Sequence, residues 1–379
     1  MRRKMTAIAM TLVMTAGMLA GCGVSGGTES AAGTEMASAE KSEEGSAEKT
    51  QIKIAAAMPT TGNARFVTDG KIFKSYCEEK GYQYTDQFAE NDVATQIQQI
   101  EGFISGGYDA IIVCPVDGAG VSSAVKKARD AGIKIVSFDR MVMDTEVDYY
   151  ATFDNVGVGT KDAEYIVEKL DLDNTSDNKT YNVEIFTGDI ADNNALLGYQ
   201  GAMEVLQPYI DSGKVVVKSG QTEYEQVVTT GWDSGEAQKR MENLLSSYYQ
   251  DEKVDAVLTT YANLALGCIT ALKSAGYGTD EKPLPITTSQ DAEIAACKSI
   301  LAGELSMSIL KDDRMLCPIA IDMAVAAVKG EEYQVNDTET YDNGTGPLKT
   351  YKGEITTFDI DNFKEVVYDS GFLTEEDLQ

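Results

Sequence analysis

The chain has 379 residues, and 32 Lys and Arg against 61 Asp and Glu give it a formal net charge of −29. So large an excess of negative charge repels phosphate backbones, and no basic stripe compensates for it, so we expect no nucleic-acid partner. The chain contains no histidine. This excludes His-based zinc sites, Ser-His-Asp and Cys-His nucleophile systems and imidazole proton shuttles.

The first segment is predicted to be an export signal. Residues 1–4 (MRRK) are basic, residues 5–19 are apolar, and residues 19–22 (LAGC) have the form of a bacterial lipoprotein cleavage box. The apolar run is shorter than the roughly 20 residues that span a bilayer. We therefore expect residues 1–21 to be removed and Cys22 to carry a lipid that is the only membrane attachment; the alternative is an ordinary secretory signal that ends at a cysteine.

Residues 22–50 are predicted to form the lipidated cysteine and a flexible tether. Gly, Ser, Ala, Thr and Glu dominate this segment, and it has no aromatic residue. Such a composition buries too little apolar surface to offset the entropy of ordering the chain.

The remaining cysteines form no CxxC pair and are odd in number, which argues against a complete disulfide framework. Most stand in apolar surroundings, so we expect small buried hydrophobic residues and not reactive thiols. They are Cys77, Cys114, Cys268, Cys297 and Cys317.

From residue 51 onwards, short β-branched runs alternate with longer amphipathic stretches, which predicts an α/β fold. The predicted strands are 52–57, 82–88, 110–114, 133–138, 147–153, 183–188, 215–219, 254–259, 284–288 and 305–310. The predicted helices are 64–80, 93–105, 121–131, 156–170, 195–210, 235–249, 264–275, 292–302 and 314–329. Strands that alternate with helices in this way indicate parallel sheets with helices on both faces.

Polar, charged and aromatic residues follow the predicted strands, at the sheet edge where α/β proteins bind ligands. Taken singly, Asp154, Asp291 or Asn193 could equally be a helix cap. Taken together, paired ions can donate to and accept from hydroxyl groups, while aromatic faces suit the C–H faces of a pyranose. The pattern therefore favours recognition of a monosaccharide. The residues concerned are Arg65, Phe66, Asp117, Asp139, Arg140, Asp154, Asn194, Trp232, Asn263, Asp291 and Lys311.

Several longer strings resemble the type I periplasmic solute-binding proteins, most closely the multiple-monosaccharide-binding ChvE-type and xylose-binding branch. The similarity runs from Ile52 to near Gln379. The strings are YYATFDN (149–155), DNNA (192–195), LQPYIDSGKVVVKSGQ (206–221), SQDAE (289–293) and VNDT (335–338). The resemblance implies two Rossmann-like lobes joined by a three-crossover hinge, with a sugar between them. It places residues 51–140 and 312–345 in the N-terminal lobe and residues 141–311 and 346–379 in the C-terminal lobe.

The resemblance also implies roles for individual residues. Arg65 and Phe66 resemble the first-lobe hydrogen-bonding and stacking residues, and Asp139 and Arg140 an acceptor–donor pair near the hinge. The second-lobe contacts implied are Asp154, Asn194, Trp232 and Lys311, with Trp232 as the opposing stacking ring. Asp117 and Asp291 lie at matching strand ends.

One position departs from the family pattern. Relatives place an Asp after the strand 254–259, whereas this sequence has Ala262 followed by Asn263, which is a substitute acceptor at best. The hydroxyl preference at this end of the sugar ring is therefore open.

The resemblance implies a monomeric, non-enzymatic lipoprotein on the outer face of the bacterial cell membrane, which hands its sugar to an ABC permease. Three alternatives stay open: a sensory module that docks on a chemoreceptor or sensor kinase, a glycan-processing enzyme, and a receptor for a furanosyl signal or a nucleoside.

We expect no cofactor and no metal. The Gly118–Gly120 and Gly157–Gly159 runs lack the third glycine and the acidic residue of a dinucleotide fingerprint. Asp171, Asp173 and Asp177 partly match a calcium loop, but the turn glycine is absent, and we interpret them as a solvated acidic loop.

Overall fold

The computed structural model describes residues 51–176 and 179–379. Its strands are β1 (Lys53–Met58), β2 (Gln83–Phe88), β3 (Ala110–Val113), β4 (Lys134–Phe138), β5 (Tyr149–Phe153), β6 (Tyr181–Phe186), β7 (Val215–Val216), β8 (Ala256–Thr259), β9 (Ile286–Thr287), β10 (Met307–Lys311), β11 (Thr350–Gly353) and β12 (Ile355–Asp359).

The α-helices are α1 (Ala64–Lys80), α2 (Val93–Ser105), α3 (Ser122–Asp130), α4 (Asn155–Lys169), α5 (Asn193–Asp211), α6 (Tyr224–Val227), α7 (Ser234–Tyr248), α8 (Ala262–Ser274), α9 (Ile294–Leu301) and α10 (Asp313–Lys329). A 3₁₀ turn (Thr230–Trp232) and a π-helical turn (Lys364–Asp369) complete the elements. Within the described residues, no helix combines the length and the apolar character that a membrane span requires.

The strands form two parallel sheets and one antiparallel pair. The larger sheet has the order β11-β5-β4-β3-β1-β2 and the smaller one the order β7-β6-β8-β9. β10 pairs with β12. In both parallel sheets the strand that comes first in the chain lies between the second and the third, which is the order of doubly wound α/β folds. The predicted fold class is therefore confirmed.

Both faces of the larger sheet are buried, as β1 illustrates. Ile54, Ala56 and Met58 face a core that includes side chains of α1 and α10, whereas Ala55 and Ala57 face α2 and α3. Helices on both faces explain why the predicted strands read as continuous apolar runs. The cysteines from Cys77 onwards are free and buried, which confirms the prediction made for them.

Every predicted strand and helix overlaps an observed one, but β11, β12 and α6 were not predicted. β11 (TYKG) and β12 (ITTFD) are short and carry polar residues on partly exposed faces. β11 lies at the edge of its sheet, and β12 pairs only with β10. Strands of this kind need no continuous apolar run, so the pattern used to find the central strands misses them.

Strand pairing indicates where the chain crosses from one sheet to the other. β5 and β11 hydrogen-bond with each other in the larger sheet, although the predicted lobe boundaries at residues 140 and 345 assign both to the C-terminal lobe. The passage from β10 to α10 coincides with the predicted boundary at residue 311. We propose that the crossovers lie after β5, after β10 and between β11 and β12.

Helices α4 and α5 approach each other closely through glycines. A Cβ atom at Gly159 would overlap the carbonyl oxygen of Gly198, and one at Gly201 would overlap the carbonyl oxygen of Val156. Because both obstacles are backbone atoms, they cannot move aside as a side chain could.

We therefore predict that Gly159→Ala lowers the free energy of unfolding by about 1–3 kcal/mol, the usual cost of overpacking. Gly102→Ala is the matched control, since Gly102 lies in the interior of α2, faces solvent and has open space where its Cβ atom would be. That variant should stabilise the protein by about 0.5–1 kcal/mol through helix propensity. Urea titration measures both changes, and equal effects of the two substitutions would contradict the packing described.

Candidate ligand-binding site

A cavity lies where the carboxyl ends of strands from both parallel sheets face each other. The empty space between its walls, together with the open solvent at its mouth, is about 320 Å³. Its lining residues follow β1, β4, β6, β7, β8 and β9, or end β10, as expected for an α/β ligand site. They are Asn63, Arg65, Phe66, Asp139, Arg140, Asp192, Asn194, Trp232, Tyr261, Gln290, Asp291 and Lys311.

Arg65, in the first turn of α1, forms the central ion pairs of the cavity. Its Nε and Nη2 donate to the two carboxylate oxygens of Asp313 at 2.7 and 2.8 Å, and its Nη1 donates to Asp139 Oδ1 at 3.0 Å. Burial opposes the charge, but the two carboxylates outweigh burial and raise the pKa of Arg65 above its usual value. The fork geometry fixes the plane of the guanidinium group.

Asp139 is held by its backbone as well as by its side chain. Its φ of 57° lies in the left-handed region, which is uncommon outside glycine and costs about 1–3 kcal/mol. Its carbonyl oxygen accepts hydrogen bonds from Tyr150 Oη at 2.7 Å, Thr152 Oγ1 at 2.8 Å and Asn194 Nδ2 at 3.0 Å. Burial alone would raise the pKa of its carboxyl group, yet Arg65 and other cations lower it, so Asp139 is ionised.

Arg140 joins the larger sheet to the loop that precedes α5. Its Nε lies 2.9 Å from Asp192 Oδ2, and the same oxygen accepts the indole N–H of Trp232 at 3.2 Å. The guanidinium carbon lies 5.4 Å from the ring centre of Phe66, within cation–π range. One carboxylate thus positions both a cation and an aromatic ring.

The last ion pair involves residues after β9 and in β10. Lys311 Nζ lies 3.0 Å from Asp291 Oδ1, and both side chains are almost fully buried. Asp291 also has a left-handed φ, of 69°. Strained backbone at Asp139 and Asp291 aims both carboxylates at the cavity, which indicates a functional site.

Aromatic rings from both sheets line the cavity. Phe66 is buried, whereas Trp232 is half-buried and has a φ of 55°. The indole of Trp232 meets Tyr261 edge to face, with ring centres 5.6 Å apart. Gly188 lies directly under the indole, and a Cβ atom there would overlap the ring. Glycine at this position therefore permits the observed placement of Trp232.

Tyr261 connects the cavity to a partly buried glutamate, Glu293. Its hydroxyl donates to Glu293 Oε1 at 3.2 Å and accepts from Asn263 Nδ2 at 2.8 Å. Burial, together with the negative charge of Asp291, raises the pKa of Glu293 to about 7.

Most of the residues predicted for the site line this cavity, and three do not. Asp117 Oδ1 accepts from the backbone N–H groups of Ala119 and Gly120 and so shapes the turn before α3. Asp154 caps α4 through the N–H of Gly157. Asn263 donates to Tyr261 Oη and is not among the residues that line the cavity. We exclude these three from the proposed set of ligand contacts.

Asn63, Asp192, Tyr261 and Gln290 line the cavity but were not among the predicted contacts. Each follows a strand, so the expectation that ligands bind at the carboxyl ends of strands applies to them as well. Asp192 also accepts the backbone N–H of Asn194 and caps α5, and a sequence does not separate this role from pairing with Arg140.

The acidic loop after α4 uses its carboxylates within the protein. Asp171 Oδ1 accepts from Asn174 at 2.7 Å, and Asp173 Oδ1 accepts from Tyr209 at 2.6 Å. Asp177 lies outside the described residues. No group of three Cys, Asp or Glu within the described residues is arranged to hold a metal ion.

The periplasmic binding protein domain model matches residues 54–332 of this chain. The chain belongs to the periplasmic binding protein family. Over 324 residues it is 43% identical to the multiple sugar-binding periplasmic protein SbpA of Azospirillum brasilense, covering 85% of this chain and 90% of that protein. It is 33% identical over 331 residues to the D-xylose-binding periplasmic protein of Escherichia coli, covering 86% of this chain and 93% of that protein.

Solved structures of this family agree with the fold. An ABC transporter solute-binding protein from Clostridium phytofermentans with bound β-D-glucose has a TM-score of 0.82 and 43% identity, covering 86% of this chain and 100% of that one. A carbohydrate transporter solute-binding protein from Chloroflexus aurantiacus in complex with D-glucose has a TM-score of 0.77 and 29% identity, covering 86% and 97%. The family expected from the sequence is confirmed.

Glu293 titrates near neutral pH. The composition alone does not predict such a group, because the chain has no histidine. The pKa of Glu293 is about 7 in the folded protein and about 4.3 in an unfolded chain, so between these values the native state binds the additional proton. We predict that stability falls as the pH rises through this window, and that Glu293→Gln removes part of that fall.

Glu225→Gln, on the exposed surface, is the control and should leave the pH profile of the native protein unchanged. Urea titrations between pH 4.5 and 8 measure the difference between the two variants. Parallel profiles for Glu293→Gln and the native protein would contradict the raised pKa of this partly buried carboxyl group.

Proposed function

We propose that this protein is an extracytoplasmic receptor that captures an aldopentose or aldohexose in the cavity and delivers it to an ABC importer. The observation that carries the proposal is a cavity in which every cation faces a carboxylate and aromatic rings from both sheets line the wall. Relatives named for the binding of several sugars or of D-xylose, and two solved relatives that hold glucose, support it.

The charges of the cavity suit a neutral ligand. Arg65, Arg140 and Lys311 are each paired with a carboxylate within 3.0 Å, so an anionic ligand would meet no cation left to pair with among them. A sugar hydroxyl, in contrast, can donate to a carboxylate and accept from the neighbouring cation at the same time. The apolar faces of a pyranose can contact Phe66 and Trp232.

Capture is proposed to occur by closure of the two parallel sheets around the ligand. The cavity draws its walls from both sheets, and Arg140 with Asp192 pairs across them. The backbone N–H of Gly118 and the carbonyl of Ala191 add a contact of 3.4 Å at the rim. Hinge closure of this kind excludes water and strengthens the hydrogen bonds to the ligand.

We propose that binding involves no covalent chemistry. A glycosidase would need one carboxylic acid that is free to donate a proton beside a second carboxylate. In this cavity Asp139 and Asp291 are each paired with a cation, and Asp192 holds both Arg140 and Trp232. Bound sugar should therefore be recovered unchanged after release.

The proposed location is the outer face of the bacterial cell membrane, with a lipid on Cys22. This residue and the tether that follows lie outside the described residues, and the proposal rests on the lipoprotein box in the sequence. The proposed partner is an ABC permease; docking of the closed form on a chemoreceptor or sensor kinase is the alternative outcome.

The single tryptophan makes the sugar proposal testable. We predict that D-glucose or D-xylose raises the melting temperature and changes the intrinsic tryptophan emission, because Trp232 is half-buried at the cavity. L-Glucose is the matched control. Thermal stabilisation without a change in emission would contradict the placement of Trp232, and no stabilisation by any aldose in a panel would overturn the proposed function.

The anchor has its own test. The native precursor, expressed in a bacterial host, should enter the detergent phase on Triton X-114 partitioning, whereas Cys22→Ala should remain in the aqueous phase because it has no acylation site. Cys114→Ala, a buried cysteine of the folded part, is the control and should partition as the native protein does. Equal partitioning of Cys22→Ala and native protein would contradict lipidation.

A further inference from the structure

Gln290 is an amide side chain of the cavity wall whose hydrogen bonding is incomplete. It is 6% exposed and lines the cavity, and its Oε1 has no hydrogen-bond partner among the described residues. An unpartnered buried carbonyl oxygen costs roughly 1–3 kcal/mol, so such an atom requires an explanation.

Asn194 shows what an internally satisfied amide looks like in the same cavity. Its Oδ1 accepts from Asn155 Nδ2 at 2.9 Å, and its Nδ2 donates to the carbonyl oxygen of Asp139 at 3.0 Å. Both ends of that amide are therefore engaged in positioning Asp139. The amide oxygen of Gln290, in contrast, makes no hydrogen bond within the described residues.

The backbone holds Gln290 in place. Its carbonyl oxygen accepts the N–H of Ala262 at 3.0 Å, and the N–H of the next residue, Asp291, donates to Ile309 at 2.9 Å. Position 290 is thus fixed between β8 and β10. Because these bonds do not involve the side chain, its amide remains available to the contents of the cavity.

We propose that Gln290 contacts the ligand directly and helps to determine which sugar is bound. A carboxamide offers acceptor lone pairs and two donors side by side, which matches two neighbouring hydroxyl groups. A site built to hydrogen-bond a hydroxyl discriminates against an analogue that lacks it, because the buried polar group then stays unpaired. This inference rests on the proposed function.

The test compares native protein with Gln290→Met, which keeps the length of the side chain and removes its donor and acceptor. Calorimetric titrations use D-glucose and its 2-, 3-, 4- and 6-deoxy analogues. For at least one analogue, the native protein should bind glucose more tightly by roughly 2- to 12-fold, and this ratio should approach one in the variant. If Gln290→Met does not fold, Gln290→Ala takes its place, because alanine removes the amide without adding side-chain volume.

Gln99→Met is the matched control. Gln99 Oε1 is likewise buried and unpartnered among the described residues, but this residue lies on α2 and does not line the cavity. For Gln99→Met, the ratios of glucose affinity to deoxy-analogue affinity should equal those of the native protein. If Gln290→Met and Gln290→Ala keep every native ratio, Gln290 does not contact the ligand. If native protein binds none of the sugars, the proposed function fails as well, and the native titration alone reveals it.

Discussion

The cavity depends on keeping Arg65 charged and buried at the point where α1, α10 and the loop after β4 meet. A buried cation is tolerated only when carboxylates and hydrogen bonds replace its hydration, and loss of one partner of such a group typically costs about 3–5 kcal/mol. Asp313 and Asp139 supply these partners from distant parts of the chain. The ion pairs therefore bring together segments that the sheets alone would leave independent.

The position of Arg65 also constrains its partner Asp139 and the residues that hold Asp139 in place. Asp139 must hold a strained backbone, and Tyr150, Thr152 and Asn194 hold it by their hydrogen bonds to its carbonyl oxygen. Two of these residues lie on β5 and one on α5. Tyr150 and Thr152, which do not line the cavity, are thus required for its geometry.

The cavity is also rich in acid. Behind Arg65, Asp69 is fully buried, and neither of its carboxylate oxygens has a hydrogen-bond partner among the described residues. Burial, reinforced by the charge of Asp313, raises its pKa well above the usual value, which favours the neutral form of this carboxyl group.

Much of the fold could be predicted because apolar runs and helix periodicity mark the central strands and long helices. The edge strands β11 and β12 lack that signal, and their sheet membership is fixed only by tertiary pairing. At the site, Asp154 and Asp291 look alike in sequence, since each follows a strand and precedes a helix. The structure assigns Asp154 to a helix cap and Asp291 to an ion pair with Lys311, a difference that depends on residues far away in the chain.

The most direct test of the account is a crystal structure of the protein grown with D-glucose or the best-bound aldose. We predict one sugar in the cavity, with its ring beside Phe66 and Trp232 and its hydroxyls on the ion pairs of Arg65, Arg140 and Lys311. A sugar bound elsewhere, or a cavity in which these ion pairs are broken to accept a charged ligand, would contradict it.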